Sequence, residues 1–222
     1  MKFVFIFGAA LIAVSACAKE DITSLHEKTP PVVLEESSIE QAIKASMAKS
    51  KLQDSQEFVA SQRENISEQD METAYEMCLN AMSEYYKAVW NGSPIELERF
   101  IDNETLKQYT QKKIQSLHNV YGQMDPVQTI EVNGWEGEYR DDGDGGFLYL
   151  KLPVQINKMI GGYGEVTEFL VRNANGKLVI VDWYTGAKDS YDFIVRGENL
   201  KIDDPAIWND KEWVRKLDNR TE

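Results

Sequence analysis

From Ser67 to about residue 121, apolar side chains recur at helical spacing. Met71, Tyr75, Cys78, Met82, Tyr85 and Val89 follow one another at intervals of three and four, which places them on one stripe of a long amphipathic helix. Ser67-Glu68-Gln69-Asp70 resembles a capping box at its start, and Asn91-Gly92 ends it. Ser93-Pro94-Ile95-Glu96 predicts a second helix, with Ser93 as cap, Pro94 at the first position, and Leu97 and Phe100 or Ile101 inward. A third helix is predicted over about 104–121, with Leu106, Tyr109, Ile114, Leu117 and Tyr121 as its stripe.

After Pro126 the period drops from 3.6 to 2. Val127 to Val132 alternates, Asn133-Gly134 is a tight-turn signal, and Trp135 to Tyr139 is expected to be the return strand of a hairpin. A polar loop over 141–146 precedes a long strand, Phe147 to Ile156, in which Pro153 points to an edge or a bulge. A loop over 157–164 follows. Two more strands, 165–172 and 177–184, flank Asn173-Ala174-Asn175-Gly176 and form the clearest hairpin. Tyr191 to Val195 is read as a further short strand. The stretch from Asp204 to Leu217, with Trp208 and Trp213, is read as a loop and short helix packed back on the sheet.

Helices first and antiparallel strands afterwards predict an α+β fold, with N-terminal helices packed on a curved antiparallel sheet. The order over residues 68–195 is similar to the nuclear transport factor 2-like superfamily, a cone-shaped fold that includes ketosteroid isomerase. The stretch from Glu168 to Trp183, strand, glycine-containing turn and strand ending at Trp, carries the resemblance. It departs from the family's pattern in having no recognisable strand between its second and third helices.

Ahead of this domain the composition changes. Residues 18–66 are rich in Lys, Glu, Ser and Gln, with Pro30-Pro31 and Phe58 as the only aromatic residue. Such a stretch buries too little apolar surface to offset chain entropy. It is expected to be a mostly disordered tether, interrupted by a short amphipathic helix on which Ile39, Ala42, Ile43 and Met47 share a face. Glu35 to Ser46 also resembles a ubiquitin-interacting motif, a match with no role in an exported protein.

The first residues, Met1 to Cys17, combine Lys2, the apolar stretch Phe3 to Val14, and Val14-Ser15-Ala16-Cys17. A basic start, an apolar core and small residues before a cut describe a secretory signal. The apolar stretch falls short of the roughly 20 residues a spanning helix needs. An aliphatic residue and two small ones before cysteine resemble the lipobox of bacterial lipoproteins. That resemblance implies cleavage after residue 16, a thioether-linked diacylglycerol on Cys17 and an acylated, palmitate-type N-terminus. The expected organisation is therefore a signal peptide over 1–16, a lipidated N-terminus and tether over 17–66, and one α+β domain over 67–217. The expected location is the cell membrane or outer membrane, with the domain extracytoplasmic.

The formal charge of −13 becomes about −14 without Lys2, which disfavours nucleic acid as a partner. The chain has two cysteines; with Cys17 acylated, Cys78 has no intramolecular partner and reads as a small buried hydrophobe on the first helix. Two histidines, His26 and His118, give poor support to zinc or triad chemistry. Asp141, Asp142 and Asp144 miss the spacing of a calcium loop and read as an acidic turn. Gly161-Gly162-Tyr163-Gly164 lacks the lysine and helix of a phosphate loop.

A cone pocket of the isomerase type requires a carboxylate base and a phenol or protonated acid as oxyanion donor. Tyr85, Tyr86, Tyr109, Asp182 and Tyr184 are of suitable types, but none matches a family motif, and no catalytic, cofactor or metal residue is assigned. The expected activity is a non-catalytic binding or assembly module at the cell envelope. Its partners would be the membrane, through Cys17, an envelope protein or small ligand, and a second copy through the sheet. The alternative is a pocket enzyme of isomerase- or hydrolase-like type on the same cone. Replacing Cys17 with Ser is expected to abolish incorporation of labelled fatty acid in cells; continued labelling would refute the anchor.

Overall fold

The computed structural model of the chain describes residues 58–197 and 200–221. The signal segment, Cys17, His26 and the helix expected over 39–47 lie outside the described residues. Two long helices, α1 (Met71–Asn91) and α2 (Glu104–Tyr121), precede five strands: β1 (Val127–Val132), β2 (Glu136–Arg140), β3 (Phe147–Lys158), β4 (Gly162–Ala174) and β5 (Lys177–Thr185). Two further helices, α3 (Tyr191–Arg196) and α4 (Lys211–Thr221), follow. All strand pairs are antiparallel, so the α+β class stands. No helix among the described residues is long and apolar enough to cross a membrane.

The α1 stripe runs where its spacing predicts, with Cys78, Met82, Tyr85 and Val89 buried. Ala74, Met77, Ala81 and Ala88 are buried as well, so α1 is enclosed on more than one side. Small residues on this second face permit close approach of its neighbours. At the N-terminus the carboxylate of Asp70 accepts from Ser67 N at 2.8 Å and Ser61 N at 2.5 Å. At the C-terminus Gly92 takes φ of +66°, a left-handed conformation that suits glycine. Ser93 to Glu96 does not start a full helix: only a single 3₁₀ turn, Leu97–Arg99, forms there. Leu97, Phe100 and Ile101 are nevertheless buried as the pattern requires. Asn103 caps α2, its side chain accepting from Leu106 N at 3.0 Å.

The sheet corrects the expected hairpin at Asn133-Gly134. β1 and β2 do not pair with each other; they lie end to end along the same edge of β3, with Val132 opposite Val154 and Glu136 opposite Lys151. The interruption between them falls at the level of Pro153. A proline within a paired strand removes a ladder donor, so a break in pairing there leaves less to satisfy. β3 also runs two residues further than its pattern suggests, and β4 begins at Gly162, within the stretch expected to be a loop. The hairpin at Asn175-Gly176 forms as read: both residues have positive φ, +56° and +96°, as the turn between twisted strands demands.

The outer edge of β5 is not free. Val59 bridges to Lys177, Ala60 N donates to Gly176 O at 2.9 Å, and Leu178 N donates to Phe58 O at 2.7 Å. Phe58 and Ile66, expected within the tether, are buried in the core. Ile180 N donates to Phe100 O at 2.7 Å, which covers the next part of the edge. An unpaired strand edge invites association with other chains, and here the chain closes its own.

Residues 191–196 form a helix, α3, instead of the expected short strand. Ser190 caps it, accepting from Phe193 N at 3.1 Å. The C-terminal stretch packs back as expected. Arg196 forks onto Asp182 with contacts of 2.9 and 2.8 Å, and Trp208 Nε1 donates to the same carboxylate at 2.8 Å. The guanidinium lies 5.2 Å from the Trp208 ring centre and 5.4 Å from those of Trp213 and Tyr184. Removing one partner of a buried ion pair leaves an uncompensated charge. Asp182→Ala is therefore expected to lower stability by about 3–5 kcal/mol, read from the shift in the urea unfolding midpoint.

Candidate functional site

A cavity of about 480 Å³ opens between the C-terminal half of α1, α2, the β3–β4 end of the sheet and the loop after β5. The strand phase explains its chemistry. On β3 the inward positions are Leu148, Leu150, Leu152, Val154 and Ile156, all buried, and the next in phase is Lys158. On β4, Phe169 and Val171 point inward, which puts Thr167, Glu165 and Tyr163 on the same face. The inner face is thus apolar over most of its length and polar at one end. Lys158, Tyr163 and Glu165 all line the cavity.

Tyr86 and Glu165 meet within it, the Tyr86 hydroxyl donating to Glu165 Oε1. Burial pushes the Glu165 carboxyl up to about 7, and the negative charge of Asp192 adds to the rise. Deeper in, Lys113 Nζ contacts Asp192 Oδ2 at 2.5 Å; the same carboxylate accepts from Tyr109 at 2.7 Å and Thr185 N at 2.7 Å. Toward the mouth, Trp90 stacks on Tyr121 with ring centres 4.7 Å apart, and Tyr163 stands 6.1 Å from Trp90. Lys158 Nζ lies 4.4 Å above the Trp90 ring.

Of the five candidates read from the sequence, two line this cavity: Tyr85 and Tyr86. Tyr85 is buried against Trp183, and burial raises its hydroxyl well above the ordinary value. Tyr109 is tied to Asp192. Asp182 is held by Arg196 and Trp208, away from the cavity. Tyr184 donates to Gly197 O at 2.9 Å. Glu165, Lys113, Lys158 and Trp90 were not singled out by the sequence reading. A signal existed for Glu165: carrying the alternation back from Phe169 places a carboxylate on the core face. Lys113 lies four residues from both Tyr109 and Leu117, so it interrupts an apolar stripe. Its partner, 79 residues away, could not be read from spacing.

The remaining motifs are structural. His118 Nδ1 lies 2.9 Å from Val89 O, where the ring joins α1 to α2. A Cβ at Gly122 would come within 2.4 Å of that ring, so the helix end is fitted around it. Cys78 is fully buried, and burial raises its thiol well above the ordinary value. Arg172 pairs with Asp142 and, at 3.1 Å, with Asp144. Among the described residues no group of three or more His, Cys, Asp or Glu is arranged to hold a metal. Comparison with protein-family models, with curated proteins and with solved structures found no match for this chain.

The Glu165 carboxyl has a testable consequence. Because its folded value lies above the ordinary 4.5, the folded state holds a proton that the unfolded state has lost between about pH 4.5 and about 7. Its contribution to stability is fully present below pH 4.5 and is lost as pH rises through about 7. Unfolding midpoints measured across this window should fall with rising pH, and Glu165→Gln should flatten that slope.

Proposed function

We propose that the chain is a lipid-anchored protein of the cell envelope whose α+β domain, similar to the nuclear transport factor 2-like cone, binds a small ligand without transforming it. The anchor rests on the pattern from Lys2 to Cys17, and the extracytoplasmic location follows from it. The observation that carries the binding reading is the open cavity of about 480 Å³ with polar groups placed on an otherwise apolar sheet face. Volumes of this order, apolar walls and a few convergent polar groups characterise small-molecule sites. A core built only for stability would fill such a space and would not point a carboxylate into it.

The Tyr86–Glu165 contact favours a second reading, a pocket enzyme of isomerase- or hydrolase-like type. A carboxyl near 7 is suited to general acid–base work. The binding reading is preferred because the neighbouring groups are engaged with one another: Lys113 and Tyr109 are both held by Asp192. That leaves Tyr86 and Glu165 bonded to each other, where acid–base catalysis usually needs groups with separate roles.

The test is native mass spectrometry of the protein after exposure to an envelope extract. A bound small molecule of unchanged mass is expected. Leu117→Trp, which fills the cavity from its α2 wall, is expected to abolish the adduct while the fold is retained. Persistence of the adduct in that variant would place the ligand elsewhere. Conversion of the ligand to a new mass, lost in Glu165→Gln, would establish the enzyme reading instead.

A further inference from the structure

We infer that the ligand of this cavity is an amphipathic anion, an apolar body with one carboxylate or phosphate head, and that Lys158 receives the head. The inference rests on the reading of the cavity as a ligand site. Five successive inward positions of β3 are apolar and buried, and the sixth is a lysine. A lysine at the end of an apolar row normally lays its stem on the surface and extends its ammonium into water. Lys158 instead is partly buried and holds its ammonium 4.4 Å over Trp90 and 5.7 Å from Tyr163.

The cation–π contact orients this ammonium without neutralising it. Among the described residues no carboxylate forms an ion pair with Lys158. The contrast with Lys113 is direct. That lysine, deeper in the same cavity, has its anion in place, Asp192 at 2.5 Å. One of the two ammonium groups is therefore satisfied within the chain, and the other is oriented toward the cavity without a counter-charge.

The lining is less acidic than the chain as a whole. The chain carries 24 basic and 37 acidic residues, whereas, with Lys113 answered by Asp192, the cavity keeps Lys158 and Lys188 against Glu165 and Asp189. Glu165 is bonded to the Tyr86 hydroxyl, which leaves it a poor partner for a cationic ligand. The face of Trp90 that would receive such a cation is occupied by Lys158 itself. The stacked Trp90–Tyr121 pair, with Leu117 and Val89 beneath, supplies the apolar wall for the ligand's body. Met124, 53% exposed, extends that wall to the mouth.

The test is calorimetric titration of the protein with decanoate, decanol and decylammonium below their aggregation limits, and with a short-chain phosphatidate. Decanoate is expected to bind about tenfold or more tightly than decanol, with decylammonium weakest, as a charge-assisted contact implies. Phosphatidate binding above decanoate would identify a lipid headgroup as the source, and the reverse order a free acid; both keep the anion on Lys158. Lys158→Gln is expected to remove the preference for the anion while decanol binding stays unchanged, and Lys158→Arg to restore it. Equal binding of decanol, preference for decylammonium, an anion preference that survives in Lys158→Gln, or no binding of either anion would overturn the inference. The cavity itself is judged separately by the adduct and its loss in Leu117→Trp, so the class of ligand can fail while the site stands.

Discussion

The buried carboxylate of Asp192 is the contact on which the rest of the domain is arranged. It stands at the start of α3 and is fully buried. It gathers Lys113 and Tyr109 from α2 and the backbone of Thr185 from the end of β5. The α2 helix is thereby fixed to the β5–α3 junction, 79 to 83 residues away in sequence. A buried charge pair of this kind contributes little net stability over an apolar replacement, but losing one partner is costly. Its effect is to set register. It fixes how far α2 lies from the sheet, and so whether a gap remains between them. Lys113 of that pair lines the floor of the cavity.

Above that floor the inner sheet face is divided. Along β3 and β4, buried Leu, Val and Phe meet α1 and close the core, while Tyr163, Glu165 and Lys158 occupy the far end. The division follows from the strand period alone, since residues two apart share a face. The helices do not close over the polar end, because α1 finishes at Asn91 and α2 at Tyr121. Asn91 pins β1 there, its amide exchanging hydrogen bonds with Val127 N at 3.0 Å and Val127 O at 3.3 Å. The aromatic residues Trp90 and Tyr121 then form the wall at the opening.

Much of this was legible in the chain. The stripes of α1 and α2, the glycine turn at Asn175-Gly176 and the late helix around Trp213 follow from local rules, and those rules hold here. What the sequence could not convey was pairing at a distance. Asn133-Gly134 has the chemistry of a hairpin turn, but β1 and β2 each find a better partner in the long β3, and the break lies level with Pro153. Tyr191 to Val195 has a strand-like composition, yet Ser190 caps it as a helix and Asp192 anchors it. Tyr86 was recognisable as a candidate by type. Its partner, Glu165, required the phase of β4, which Thr167 and the surrounding glycines obscure. Lys113 was masked for the same reason: its meaning lies in a residue on another element.

The closure of the β5 edge by residues 58–60 has a mechanical consequence. The chain arrives at the domain by joining the sheet. A pull transmitted along it reaches the hydrogen bonds at Phe58 and Ala60 first, and through them the β4–β5 hairpin. That hairpin carries Glu165 at one end and the Asn175-Gly176 turn at the other. The point where the chain joins the sheet and the cavity therefore share a hairpin, and load applied at the first is borne by the element that shapes the second.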